Sequence, residues 1–78
     1  MLDLKQILTD IAKAIVEQPD EVTVIQNDNG NSVVLTLSVA SQDMGKVIGR
    51  NGRIAKAIRT VMRAAAIRKD VKVQVDID

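Results

Sequence analysis

The sequence predicts a two-layer α+β domain in which three helices cover one face of a three-stranded mixed sheet. Three observations carry this expectation. The hydrophobic period of the 78 residues switches between helical and alternating in the order α-β-β-α-α-β. A turn-forming cluster, Asp28-Asn29-Gly30-Asn31, separates the two early alternating runs and makes them an antiparallel hairpin. The stretch between the second and last alternating runs is long enough for two helices, so the last strand returns parallel to the second in a right-handed crossover. The chain is read as one domain, residues 1–78, near the size at which a single core gives only marginal stability.

Asp3 is placed to cap the first helix, with Gln6 in the position that completes a capping box. Leu4, Leu8, Ile11 and Ile15 then recur at helical spacing, and Ile7, Ala12 and Val16 widen the apolar stripe. Pro19 disfavours helical geometry at Gln18, so the helix is expected to end close to Glu17. Val22 to Gln26 is short and β-branched and reads as the first strand. Beyond the turn, Val33, Leu35, Leu37 and Val39 alternate with Val34, Thr36 and Ser38 as a half-buried second strand. Ser41-Gln42-Asp43 can cap a short helix through Met44 to about Ile48, which Gly49 to Gly52 break. A longer helix follows from about Arg53 to Arg68, with Ile54, Ile58, Val61, Met62 and Ala65 on its core side and Lys56 and Arg63 opposite. Asp70 ends that run, and Val71, Val73, Val75 and Ile77 alternate with Lys72, Gln74 and Asp76 as the last strand.

Composition removes whole classes of chemistry. Cysteine, histidine and all aromatic residues are absent, so the usual zinc ligands, nucleophile–base pairs and base-stacking rings are missing. No pair of acids lies near the basic segment either. We therefore expect no enzyme, no cofactor and no metal. The first residues lack a basic region followed by an apolar block, and no apolar run approaches membrane-spanning length, which reads as a soluble, cytoplasmic protein. The net charge of +1 conceals a strong segregation. Residues 1–43 carry −5, residues 44–69 carry eight Lys or Arg and no acid, and residues 70–78 carry −2. A local basic block fits a polyanion partner, although a solvated helix face would look the same.

Gly45-Lys46-Val47-Ile48-Gly49-Arg50-Asn51-Gly52-Arg53-Ile54 lies inside that block. Paired glycines allow positive φ and close approach of a ligand to the backbone. A loop that opens a helix also aims unpaired N–H groups at whatever lies in front, where anions are favoured. Arg50 adds charge, and Asn51 adds a donor and tolerates unusual backbone angles. Lys46, Arg53 and Lys56 flank the loop as candidate phosphate anchors. Arg59 and Arg63, further down the helix, read as solvated surface. The alternative reading makes the glycines simply a C-cap and a turn between two helices, and the basic flanks favour the anion site over it. No Gly-Lys-Ser/Thr follows them, which excludes a Walker-type nucleotide site.

A helix–Gly-x-x-Gly–helix insertion between strands, with Val47-Ile48 ahead and Ile54-x-x-x-Ile58 behind, resembles the KH domain. The likeness covers the whole chain, because α-β-β-α-α-β is the prokaryotic, type II arrangement. The Gly45–Arg53 stretch, the Pro19-Asp20-Glu21-Val22 entry and the Arg59-Thr60-Val61 helix are similar to the small bacterial stand-alone KH proteins of the KhpA type. That resemblance implies a loop that clamps about four single-stranded nucleotides by their backbone, with bases in a narrow apolar groove. Val47, Ile48 and Ile54 are then candidates to floor the groove, though some of them must support the loop from beneath. The implied partner is single-stranded RNA and the implied role a post-transcriptional regulator or RNA chaperone. The resemblance also implies a homodimer, or a heterodimer with a larger KH-containing protein, and Thr60, Ala64 and Ile67 lie off the core stripe as a candidate interface. The alternative is a KH-like association module with little RNA affinity.

Overall fold

A computed structural model describes residues 3–78. Its elements are α1 (Leu4–Ile15), β1 (Thr23–Asn29), β2 (Ser32–Ser38), α2 (Met44–Ile48), α3 (Arg53–Arg68) and β3 (Lys72–Ile77), with short 3-10 turns at Pro19–Glu21, Ser41–Asp43 and Arg50–Gly52. The sheet order is β1-β2-β3. β1 pairs antiparallel with β2, and β2 pairs parallel with β3 through the two-helix crossover, as the sequence predicts. The family of folds is the expected two-layer α+β arrangement.

The core lies between the sheet and the helices. Leu8, Leu35, Leu37, Met62 and Val47 are its largest fully enclosed side chains. Each contributes roughly 1.5–3 kcal/mol of burial. The inward residues of β2 are Val33, Leu35 and Leu37, in strict alternation with half-exposed neighbours. Val75 in β3 and Val24 in β1 complete that face.

Several expectations need correction. The hairpin turn is tighter than the turn cluster implied: Asn29 pairs with Ser32, so β1 runs on through Asp28 and Asn29 and only Gly30-Asn31 turn. Gly30 has φ 71 and occupies the first central position, where two-residue hairpins need glycine. α1 stops at Ile15 rather than near Glu17, because the Glu17 and Gln18 N–H groups leave the helix to donate to the Asp43 carboxylate. Asp3 does cap α1 through Gln6 N–H at 3.2 Å, but the Gln6 side chain turns to Asp10 instead of completing a box. Asp43 makes no capping bond to α2.

The largest revision is the rotation of α3. Its buried residues are Ala55, Ile58, Met62 and Ala66, while Ile54 and Val61 are 39% and 49% exposed. The apolar arc of this helix is wider than the strip its neighbours cover. α1 and the sheet take the part centred on Ile58 and Met62, and the Ile54–Val61 flank is left open.

Candidate nucleic-acid interface

The short helix α2 sets the position of the loop. Val47 points inward and is completely buried, whereas Ile48, the next residue, is 37% exposed. Val47 thus anchors α2 in the core and offers no face to a base, which removes it from the candidate groove floor. A second anchor is polar. Asp43 is wholly enclosed at the head of α2, and its two carboxylate oxygens accept from Glu17 N–H at 3.3 Å and Gln18 N–H at 3.1 Å. These charge-assisted bonds tie the end of α1 to the start of α2. Lys46 Nζ lies 3.8 Å from Asp43 and 4.0 Å from Glu17, so this candidate phosphate anchor leans on carboxylates in the free protein.

The helix ends where Gly49 N–H donates to Gly45 C=O at 2.8 Å. Gly49 has φ 75 and ψ 175, a region essentially closed to any residue with a side chain. Asn51 (φ 58, ψ 25) and Gly52 (φ 73, ψ 16) are both left-handed, and α3 begins immediately after them. Gly49 is also crowded: a Cβ there would meet Ile54 Cγ1 at 2.6 Å, whereas one on Gly52 would meet nothing within 4 Å. Gly52 N–H turns back to Gly49 C=O at 3.2 Å. The glycines therefore do not themselves offer donors. Among the described residues, the Arg50 and Asn51 N–H groups have no hydrogen-bond partner. Adjacent free N–H groups in a turn of this kind form an anion-binding concavity. Arg50, Asn51, Arg53 and Lys56 are all exposed around it.

Beyond the loop, α3 lies against β3, an edge strand. Lys72 N–H donates to Asn31 C=O, so the even-numbered residues of β3 face β2. Val73 and Val75 then turn their N–H and C=O groups outward. A cleft of about 370 Å³ runs along this edge, lined by Arg59, Arg63, Val73, Gln74, Val75 and Asp76. Arg59 is not simply solvated, as its position on the helix implied. Its Nε donates to Val75 C=O at 3.1 Å, closing one acceptor of the edge. The sequence signal for it was the Arg59/Arg63 spacing beside the buried Ile58 and Met62, which puts both arginines on the flank that meets β3.

Ile54 sits elsewhere. With Ile11, Ile15, Arg53, Ala57, Ile58 and Val61 it lines a second groove, about 450 Å³ and almost wholly apolar, between α1 and α3. Thr60 and Ala64 are exposed on α3, with Thr60 Oγ1 donating to Lys56 C=O. Ile67 is 76% exposed near the far end of the β3 cleft.

Comparison with known proteins supports the fold and the family. The model of the KhpA/KhpB KH domain matches residues 5–77. The "RNA-binding protein KhpA" of Clostridium acetobutylicum is 54% identical over 74 residues, which are 95% of this chain and 99% of that protein. The proteins of the same name from Clostridium perfringens and Bacillus subtilis are 50% and 42% identical over 95% of this chain, and 99% and 91% of theirs. Among solved structures, Era in complex with MgGDPNP and nucleotides 1506–1542 of 16S ribosomal RNA superposes with a TM-score of 0.65 at 20% identity. That match covers 95% of this chain and 28% of the Era chain, and it shows the fold. With the family model matching residues 5–77 and these relatives 42–54% identical over 95% of its length, the chain is a member of the KhpA/KhpB KH-domain family.

Proposed function

We propose that this protein binds short single-stranded RNA, holding the backbone at the Gly49–Gly52 loop and laying bases in the cleft between α3 and β3. The observation that carries the reading is the pair of unpartnered N–H groups at Arg50 and Asn51, in a turn that α2 fixes to the core. The curated relatives bear the name of RNA-binding proteins, which favours the same reading. A phosphate against those N–H groups would be flanked by Arg50 and Arg53, and Lys46 would have to exchange Asp43 and Glu17 for it. Beyond the loop, a base lying on the β3 edge would meet the outward backbone groups of Val73 and Val75. Arg59 already holds Val75 C=O, so its guanidinium presents donors where that acceptor would otherwise stand. Aliphatic walls replace aromatic stacking, so base preference is weak and phosphate contacts dominate. Such binding suits a cytoplasmic post-transcriptional regulator or RNA chaperone.

The same chain is also read as self-associating or pairing with a second KH-containing protein. The α1–α3 groove exposes three large apolar residues, Ile15, Ile54 and Val61, where the Thr60–Ala64–Ile67 strip exposes one, Ile67. We place the contact there.

The RNA reading is tested by anisotropy titrations of a labelled oligouridylate across a salt series. Affinity falls steeply with salt, with a slope near −0.7 per phosphate neutralised. The folded double variant Arg50→Asp/Asn51→Asp loses binding while its circular-dichroism spectrum stays that of the wild type. Unchanged affinity in that variant would falsify the loop assignment.

A further inference from the structure

The trough along β3 does not end at Arg63. Past it, Arg63, Ala66, Ile67, Val71, Lys72 and Val73 line a further recess of about 300 Å³ that shares Arg63 and Val73 with the first cleft. It is lined by four apolar residues, Arg63 and Lys72, and by no acid; Lys72 belongs to the opposite face of the strand from Val71 and Val73, so its ammonium reaches this recess around the sheet edge. Asp70 borders the neighbouring hollow on the hairpin side, not this one. Ile67 is the most exposed large apolar residue among those described, at 76%.

Length decides what such a recess is for. From Gly52 to Arg59 the helix advances about 10 Å, and from Gly52 to Ile67 about 22 Å, at ~1.5 Å per residue. Stacked nucleotides advance about 3.4 Å each, so roughly four reach Arg59. The remaining distance, about 12 Å, has room for about three more, fewer if the strand is extended. We propose that Ile67, Val71 and Val73 form a second nucleobase subsite for the same RNA strand, with Arg63 and Lys72 pairing with the phosphate beside it. The occupant is a base with its phosphate, because an apolar shelf flanked by cations and continuous with the first cleft matches one nucleotide's two chemistries. This inference rests on the RNA reading above. It assigns Ile67 to the nucleic-acid face and gives the protein a footprint longer than four nucleotides.

The test is a length series of labelled oligouridylates of four, six, eight and ten nucleotides at one low salt concentration. The wild type gains roughly tenfold in affinity between four and eight nucleotides, beyond the statistical gain from added registers, about the size of one base contact plus one phosphate. Ile67→Ala and Lys72→Gln, both exposed positions that leave the fold intact, lose most of that gain and keep tetranucleotide affinity. The shelf is overturned if both variants retain the gain, or if the wild type gains no more than the registers supply while Arg50→Asp/Asn51→Asp still abolishes binding. Absence of binding by the wild type at every length sinks the RNA reading itself and the shelf with it.

Discussion

At Gly49 and Gly52 the same substitution meets different obstacles. Gly52→Ala adds a Cβ into open space, so its cost is that of the left-handed backbone alone, about 1 kcal/mol. Gly49→Ala must adopt a glycine-only conformation and push Ile54 aside, and its cost is about 3 kcal/mol or more. Urea denaturation of the two variants checks the order, and equal midpoints, or a lower one for Gly52→Ala, would refute it. The sequence made the need for positive φ visible, since paired glycines around Arg-Asn have few other uses. It did not make the asymmetry visible. That depends on the side chain of Ile54 folding back over Gly49, which no local pattern announces.

Among the elements, the end of α3 is built against its own preference. Asp70 is left-handed at φ 57 and occupies the position where helices usually place glycine. Val71 N–H donates to Ala66 C=O and Asp70 N–H to Ile67 C=O, the paired bonds of a Schellman stop. An acid there also faces the negative end of the helix. Asp70→Gly is therefore expected to stabilise the fold by about 0.5–1 kcal/mol and to raise Tm by about 2–8 °C. A lower Tm in a thermal melt would show that the Asp70 side chain has a compensating contact. The order of elements was legible because the hydrophobic period changes cleanly at each boundary. The rotation of α3 was not. Its apolar positions run from Ile54 and Ala55 through Ala57, Ile58, Val61, Met62, Ala65 and Ala66, and the buried part is chosen by the neighbours. The role of Asp43 is hidden from the sequence for a related reason. An aspartate before a helix signals a cap, and its true partners, Glu17 and Gln18, lie about 25 residues away in the chain.

Taken as a molecule, the domain divides its surface by chemistry. The loop and the β3 cleft carry cations and open backbone groups, while the α1–α3 groove is almost wholly apolar and exposes Ile15, Ile54 and Val61. If the groove is the contact between copies, Val61→Glu places a charge in it and gives a monomer, whereas Ile67→Ala does not alter the oligomeric state. Light scattering of the wild type and both variants at high micromolar concentration reads this directly. A monomeric wild type removes self-association, and a Val61→Glu dimer moves the contact elsewhere.

Ile54 belongs to both regions, since one side chain lies against Gly49 and also lines the groove. A group that fills the groove would touch the residue that fits over the loop. If that contact shifts the loop, occupancy of the two faces is linked and the link is reciprocal: a factor by which dimerisation alters RNA affinity is the factor by which RNA alters the dimerisation constant. Ile54→Val shortens the side chain that spans the two faces. Sedimentation with and without RNA should show wild-type dimerisation shifting on RNA addition and the Ile54→Val shift shrinking towards zero; two independent equilibria in the wild type would mean that the faces ignore each other.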